Sequence, residues 1–302
     1  MLKVAIIIST YNGEKFLREQ LDSILAQAEV DVHLFVRDDG SSDGTKDILV
    51  EYESKHDNVT VELAQNVGVG NSFMNALYSV PDTYDYYAFA DQDDIWCDNK
   101  LIEAVKLLQS SGMALYASNQ ENVDKDGNSL GMRYAPDKNI HLTPVSIIGE
   151  NTVAGCTFVF TRELFLKLTA EESRPTPELL RNRIHDVWVA AAASVNGGIV
   201  YDERAFIKYR QHGNNVVGSF KPSFKKRVKA RMRKMRNKEQ RNGRSLLARE
   251  LTRCFDHAKE YSLVTVCAQA KKTKLWKNGK ELRSYTGEGK LAYSIKVLLG
   301  LF

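Results

Sequence analysis

Asp91-Gln92-Asp93-Asp94 places three carboxylates within four residues, directly after the apolar run Tyr86-Tyr87-Ala88-Phe89-Ala90. Such a run reads as a short buried strand. Like charges crowded at its carboxyl end repel one another and are costly to bury. A divalent cation with a bound diphosphate relieves both problems. Mg²⁺ and Mn²⁺ take oxygen ligands, often only one or two of them carboxylates, and fill the remaining positions with water and phosphate oxygens. The competing reading is an acidic turn ahead of the next helix, with Asp98 capping a helix over Asn99 to Ser110.

The elements needed to position this turn are legible around it. Val4 to Ile8 is a continuous apolar, β-branched run, the pattern of a central parallel strand buried on both faces. A turn at Ser9 to Gly13 follows. Phe16, Leu17, Leu21, Ile24 and Leu25 then recur at helical spacing across residues 14 to 27. Val32 to Arg37 predicts a second strand. It runs into Asp38-Asp39-Gly40-Ser41-Ser42-Asp43-Gly44-Thr45, dense in turn formers, with Asp43 as N-cap of a helix reaching about Glu53. Val59 to Leu63 predicts a third strand, Asn66 to Asn71 a loop, and residues 72 to 79 a helix. This alternation predicts an α/β fold with a doubly wound, mostly parallel sheet and right-handed crossovers. Ligands of such sheets sit beyond the carboxyl ends of the strands. The loops starting at Ser9, Asp38, Asn66 and Asp91 all follow strand ends, so all four are expected to face one crevice.

Each loop has chemistry available to it. Thr10 and Tyr11 can line a base pocket, with Tyr11 stacking or packing. Asp39 can accept a hydrogen bond from the N3–H of uracil or thymine. The Asn66 to Asn71 loop can approach a ribose or diphosphate closely, because Gly68 and Gly70 lack side chains. Taken singly, each segment also reads as an ordinary turn. None is a Walker A loop or a GxGxxG fingerprint, which argues against a kinase, an ATPase or an NAD enzyme.

Taken together, Ser9-Thr10-Tyr11-Asn12, Asp38 to Thr45, Asn66-x-Gly68 and Asp91-Gln92-Asp93-Asp94 resemble family-2 glycosyltransferases of the GT-A fold in order and spacing. The resemblance covers about residues 1 to 215. The wording Asp91-Gln92-Asp93-Asp94-Ile95-Trp96, with the later Tyr209-Arg210-Gln211-His212-Gly213-Asn214-Asn215, resembles the bacterial rhamnosyltransferase branch that builds cell-surface polysaccharide. The resemblance implies an inverting transfer from a nucleotide-sugar, dTDP- or UDP-linked, to a glycan or lipid-linked acceptor. It implies Thr10, Tyr11, Asn12, Asp39, Asn66 and Gly68 around the nucleotide, and Asp91 and Asp93 as the Asp-x-Asp element at a Mn²⁺ or Mg²⁺ ion and the diphosphate. His212 resembles the late histidine that supplies a third metal or diphosphate contact.

Val153 to Phe160 starts as a loop and becomes a strand. In the family this segment lies against the donor sugar, and Gly155 would let backbone approach it. Asp186 opens an apolar helix, Val187-Trp188-Val189-Ala190-Ala191-Ala192. There it either stabilises the helix dipole, worth about 0.3–1 kcal/mol, or serves as general base. An inverting transfer needs a carboxylate to take the acceptor hydroxyl's proton as that oxygen attacks C1. In the family the base sits at this helix start, often written Glu-Asp; here His185 replaces the Glu, Asp186 remains, and His185 becomes a candidate acceptor contact. Glu171 to Arg181, with Pro175 and Pro177, is expected to be a loop that cannot continue as helix. Ile199 to Tyr201 and Ala205 to Tyr209 read as two strands.

The chain of 302 residues is 43% hydrophobic, enough for one large or two modest domains. Cys97, Cys156, Cys254 and Cys267 form no CxxC pair, and free thiols in a reducing cytoplasm are expected. The apolar run at the N-terminus is too short for a signal peptide. The net charge of +4 hides an asymmetry: from Lys221 onward 23 basic residues face 6 acidic ones, a net of +17, while the first 220 residues carry 19 against 32, a net of −13. A catalytic unit is therefore expected over 1–218, with a nucleotide-sugar half to about 98 and an acceptor half beyond, followed by a basic helical extension over 219–302. Residues 243 to 271 read as one helix, and Leu291 to Phe302 as an apolar end too short to span a bilayer. A basic segment with amphipathic helices fits a membrane-surface anchor, which would place a cytoplasmic chain peripherally on the inner face of the cell membrane. A homo-oligomerisation element is the competing reading. Nucleic acid is disfavoured, since no stacking aromatics are interleaved.

Other function classes remain distinguishable. A UDP-hexose donor fits Asp39 as well as a thymidine-linked one. A nucleotidyltransferase would show a glycine- and arginine-rich loop with a lysine after the first strand, which Thr10-Tyr11-Asn12-Gly13-Glu14 does not. A non-catalytic nucleotide-sugar binding protein would have no need of Asp39, Asp91, Asp93 and Asp186 together.

Overall fold

The computed structural model describes residues 1–136, 138–212 and 242–302. The Lys221 to Arg241 segment, the Gly213-Asn214-Asn215 end of the late motif and the expected 218/219 boundary lie outside the described residues.

Four parallel strands form the first half: β1 (Leu2–Thr10), β2 (Val30–Asp38), β3 (Val59–Leu63) and β4 (Tyr86–Ala90), in the order β3-β2-β1-β4. β1 lies at the centre because Val4 to Ile8 can be buried on both sides, and all five are 0% exposed. Helices α1 (Leu17–Leu25), α2 (Thr45–Lys55) and α3 (Val69–Ser79) make the crossovers. Beyond β4 the sheet turns mixed, running on through β8 (Val159–Thr161), β6 (Leu115–Val123), β9 (Ile199–Arg210) and β5 (Ile95–Trp96). β8 is antiparallel to both β4 and β6, β9 is parallel to β6, and β7 (Ser129–Met132) forms a hairpin on β6.

Several local expectations are corrected. Ile95-Trp96 is a strand that pairs with Ile207 and Lys208, and it pulls the acidic turn back toward the sheet. Helix α4 (Lys100–Ser111) begins after Asn99 with no side-chain cap, so Asp98 does not cap it. Pro177 opens a helix, α7 (Pro177–Asn182), instead of preventing one. Its missing N–H falls where no helical bond is needed, and Thr176 Oγ1 accepts from Leu179 N. The two late strands are one, β9, whose register shifts where Ser118 pairs with Asp202 but Asn119 with Ala205. The long helix expected over 243–271 is broken into α9 (Gly243–Cys254), a 3-10 turn (Asp256–Glu260) and α10 (Ser262–Gln269).

The C-terminal helices α9, α10, α11 (Lys272–Lys277), α12 (Gly279–Thr286) and α13 (Lys290–Leu299) do not build a core of their own. Leu247, Leu251, Phe255, Val264, Leu282 and Val297 share one buried cluster with α8 (His185–Val195) and with Ile147 and Ile148 of α5 (Pro144–Gly149). Trp188 stacks on Phe255 at 5.9 Å. A β-carbon on Gly149 would lie 2.6 Å from Thr286 Cγ2, so only glycine lets α5 and α12 approach this closely. Each large apolar side chain buried there contributes about 1.5–3 kcal/mol. Among the described residues, one packed interior is thus shared by the α/β half and the C-terminal helices.

Candidate active site

A cavity of about 1830 Å³ opens at the carboxyl end of the parallel strands. The loops after β1, β2, β3 and β4 all contribute to its wall, as the strand-end argument requires. One end is formed by these loops, the other by the start of α8 and the C-terminal helices.

At the first end nearly every polar atom is committed. Asp38 is fully buried and accepts from Thr10 Oγ1 at 3.0 Å, Gly40 N at 3.1 Å and Ser41 N at 2.9 Å. Asp39, 2% exposed, accepts from Arg37 Nη1 at 2.7 Å and from the amides of Val67 and Gly68 at 3.0 Å each. A carboxylate offers about four acceptor positions, so Asp39 Oδ2 retains room for one more donor at the cavity wall. Gly68 sits at φ +84°, a conformation suited to glycine, as it delivers its amide to Asp39. A β-carbon on Gly70 would meet Leu180 O at 2.3 Å, so that residue serves packing against α7, not approach to a ligand. Asn66 is exposed on the wall. Tyr11, 50% exposed, stands at the same wall. Asn12 is exposed at the cavity wall: its Oδ1 accepts from Ser42 N at 2.8 Å and its backbone amide donates to Ser41 Oγ at 2.9 Å. These two bonds also brace the turn after β2.

Gln92 was not singled out in the sequence. Its amide clamps the Tyr11 backbone, accepting from Tyr11 N at 2.9 Å and donating to Tyr11 O at 3.2 Å. Gly13 is needed for this, since a β-carbon there would lie 2.3 Å from Gln92 Oε1. The residue between the two acids thus fastens the first loop to the fourth.

The three carboxylates separate. Asp91 and Asp93 line the cavity, whereas Asp94 is fully buried and accepts from Arg210 N at 3.2 Å. Burial first, then Asp93 and Asp186, push the Asp91 carboxyl well above the usual carboxylate range. Asp94 is raised for the same leading reason. His212 Nε2 lies 2.7 Å from Asp93 Oδ2. Arg210, also not anticipated, ties this turn down: Nε donates to Asp93 O at 3.1 Å, Nη1 to Lys125 O at 2.8 Å, and Nη2 pairs with Glu19. Beneath it Lys100 is buried, its Nζ 3.7 Å from the Trp96 ring centre, and burial pushes its pKa down to about 7. Crowded acids with raised carboxyls are what a divalent cation would relieve, so the donor set suits Mn²⁺ or Mg²⁺. Asp91, Asp93 and His212 present that set to the cavity. A second grouping, Asp91 with Asp94 and Cys156, has ligand atoms within 4.8 Å of one another. It is less suited to these hard cations, because it brings a thiol and a carboxylate already bonded inside the fold.

At the other end Asp186 occupies the first turn of α8. Its Oδ1 accepts from Val187 N at 2.6 Å, and burial pushes its pKa up to about 6. Gly155 packs directly against it: a β-carbon there would be 2.9 Å from Asp186 Cβ and from His185 Nε2. The missing side chain therefore makes room for the α8 start, and Gly155 itself lines the cavity. His185 is 3% exposed and stacks on Phe73 at 3.8 Å, with Phe89 edge-on at 5.1 Å. Neither ring nitrogen has a hydrogen-bond partner, and burial lowers its pKa to about 3. Burial thus favours the neutral ring, which packs between Phe73 and Phe89 at the cavity wall. Arg133, Arg183 and Arg244, which carried no motif, also line the cavity. Only the position of Arg183, three residues before Asp186, could have flagged it.

The sequence description of Glycosyl transferase family 2 matches residues 5–169. The chain belongs to glycosyl transferase family 2. The dTDP-rhamnosyl transferase RfbG of Shigella flexneri is 31% identical over 230 residues, 72% of this chain and 77% of that protein. Among solved structures, S. aureus TarS 1-349 in complex with UDP-GlcNAc aligns with a TM-score of 0.57 at 17% identity, covering 100% of this chain and 93% of that one. The mannosyltransferase PcManGT from Pyrobaculum calidifontis, in complex with GDP-Man and Mn2+, aligns at 0.51 and 17% identity, covering 98% and 86%. These likenesses establish the GT-A fold, with a mixed sheet and a helical C-terminal region.

Proposed function

We propose that this family-2 enzyme is an inverting transferase that moves rhamnose from a dTDP-linked donor onto a glycan or lipid-linked acceptor in cell-surface polysaccharide synthesis. The observation that carries the reading is Asp186. A carboxylate with its pKa pushed up to about 6 shares one cavity with the Asp91 and Asp93 acids. A base needs a pKa near working pH, so that it is ionised yet still proton-seeking.

In this reading Thr10, Tyr11, Asp39, Asn66 and Gly68 hold the nucleotide, with the open position on Asp39 Oδ2 for the pyrimidine N3–H. Asp91, Asp93 and His212 hold a Mn²⁺ or Mg²⁺ ion, which when bound supplies positive charge to the leaving diphosphate. Asp186 takes the acceptor hydroxyl's proton as that oxygen attacks C1 from the face opposite the diphosphate. Arg210 and Gln92 keep the acidic turn in register. A UDP-hexose donor is the second reading, favoured by the UDP-GlcNAc complex of TarS. Release of nucleoside diphosphate from dTDP-rhamnose, but not from UDP-GlcNAc or GDP-mannose, supports the first; turnover of UDP-sugars alone replaces it.

The membrane reading rests on α13. It exposes Leu291 (75%), Ile295 (44%), Leu298 (59%) and Leu299 (55%), one stripe at i, i+4, i+7 and i+8. Lys271, Lys272, Lys274 and Lys277 surround an exposed Trp276 nearby in sequence. No described helix is long and apolar enough to cross a membrane; the attachment in this reading is peripheral, at the inner face of the cell membrane. Cosedimentation with anionic vesicles that is lost in Leu291→Glu/Leu298→Glu supports it. A dimer in solution that the same substitutions dissolve would assign the stripe to self-association instead.

A further inference from the structure

The end of the cavity next to Asp186 carries cations that the transfer chemistry does not use. The Arg183 side chain forms neither a hydrogen bond nor an ion pair among the described residues, although it borders the cavity and sits against the start of α9. Its Nε lies 3.1 Å from the position a β-carbon on Gly243 would occupy. Burial and the neighbouring Arg244 lower its pKa to about 10, with Asp186 opposing them. A partly exposed, unpaired guanidinium on the wall of a cavity is placed to pair with an anion that enters it.

The surroundings point the same way. Arg244 donates to Gly149 O at 2.9 Å through Nη2 and pairs with Glu288 at 3.0 Å through Nη1, and Glu288 also pairs with Lys296. One carboxylate therefore serves two cations while Arg183 has none. α9 starts at this wall with no side-chain cap; Ser245 N donates to Phe302 O at 3.1 Å, while Gly243 and Arg244, the first two residues of the helix, line the cavity, and a helix start favours anions. The other acids lining this end are Asp186 and the exposed Glu150. Ala292 and Ile295 of α13 complete the wall, so an apolar chain could leave past the same helix that carries the exposed leucine stripe.

We propose that Arg183, with Arg244 and the start of α9, forms a subsite for a phosphate carried by the acceptor, placed beside the base and apart from the donor diphosphate. Resting on the transferase reading, it narrows the acceptor to a phosphorylated one, of which an isoprenoid phosphate-linked sugar is the form that α13 suits.

The test uses the full chain saturated with dTDP and Mn²⁺, titrated calorimetrically with farnesyl phosphate and separately with inorganic phosphate. Farnesyl phosphate is expected to bind the nucleotide-loaded protein, and Arg183→Gln to weaken it at least about tenfold, the loss anticipated for a charge-assisted pair. The dTDP affinity should stay unchanged. Arg183→Gln should also melt no lower than wild type, since the side chain removed has no hydrogen bond or ion pair among the described residues, whereas a structural arginine would lower the melting temperature. Binding of inorganic phosphate that equally requires Arg183 sustains the subsite but assigns it to a phosphate without a lipid. If neither probe binds, or binding ignores Arg183, the subsite is overturned. If Arg183→Gln instead weakens dTDP, Arg183 belongs to the donor diphosphate and the inference falls. Failure of dTDP itself to bind would sink the transferase reading, a separate outcome.

Discussion

The two ends of the cavity are built on opposite principles. At the nucleotide end polar groups are mutually satisfied: Asp38, Asp39, Arg37, Ser41 and Asn12 form a closed mesh of hydrogen bonds. At the end proposed for the acceptor Arg244, Glu288 and Lys296 are paired, but the groups around the start of α8 have few partners. Asp186 has only a neighbouring amide, Arg183 has none among the described residues, and the His185 ring has no hydrogen bond at all. A satisfied mesh fixes shape, which suits recognition of a constant nucleotide. Desolvated, unpaired groups hold shifted pKa values, which suits proton transfer. The comparison therefore predicts that substitutions at the two ends fail differently, in binding at one and in turnover at the other.

The largest effect should come from Asp186→Asn. Asparagine keeps the size and still accepts from Val187 N, but it cannot take a proton. Loss of a general base costs about 10²–10⁴-fold in kcat, with nucleotide affinity unchanged by calorimetry. In the wild type, kcat should fall as pH drops below about 6, where Asp186 becomes protonated. The same shift has a stability consequence of opposite sense. The folded carboxyl binds its proton near pH 6 and the unfolded one near 3.8. Protonation on the way from 6 down to 3.8 therefore favours the folded state, and above 6 that contribution is lost. At pH 7.5 Asp186→Asn should consequently melt higher, by on the order of 1–3 kcal/mol. A variant that melts lower and retains more than about a tenth of wild-type turnover would make Asp186 a helix cap.

Next in size is the acidic turn, where the two principles meet. Asp93→Ala removes a cavity carboxylate and the partner of His212, and should cost about 10²–10³-fold in kcat/KM, a few kcal/mol of barrier. Excess chelator should do the same to the wild type. Asp94→Ala is expected to fail differently, by unfolding, because Asp94 is fully buried and bonded to the β9 backbone. Full turnover in chelator would remove the metal from the mechanism.

How much of this could be read beforehand divides along the same line. The strand–loop alternation, the four loops at one crevice and the acids at Asp91 and Asp93 follow from local patterns: apolar runs, turn formers and charge crowding. Asp186 was legible because an acid in the first turn of an apolar helix is conspicuous. What escaped depends on contacts far apart in sequence. Gln92 reaches across 81 residues to Tyr11, and Arg210 across 117 to Asp93 O. The neutral, stacked state of His185 arises only from Phe73 and Phe89 closing over it. The use of Gly155 likewise appears only once α8 is placed against it. Pro177 misled because a helix-breaking residue is tolerated at a helix's first position.

A smaller effect, confined to turnover, is predicted for Gly155→Ala. The new methyl would press on Asp186 Cβ and His185 Nε2, each 2.9 Å away, and side chains held that close must shift. Misplacing a base by a fraction of an ångström should cost roughly 10-fold in kcat, with nucleotide binding untouched. A rise in donor KM without change in kcat would place Gly155 at the sugar and not behind the base.

The smallest effect belongs to the nucleotide end. Gln92→Ala deletes two hydrogen bonds to the Tyr11 backbone, each worth about 0.5–1.5 kcal/mol net. Both are exposed, which favours the lower figure. The Tyr11 loop would then sample other positions, and the nucleotide would have to order it on binding. Affinity for dTDP should weaken by about 3–10-fold, while kcat at saturating donor stays within about twofold, because ordering a loop is a cost shared by ground and transition states. Gly13→Ala should reproduce this from the other side, since its methyl would push the Gln92 amide from its place, 2.3 Å away. The double variant should be little worse than either single one, because both remove the same clamp. A large fall in kcat with unchanged dTDP affinity would mean that Gln92 acts through its neighbours Asp91 and Asp93, and the separation of binding and turnover between the two ends would not hold.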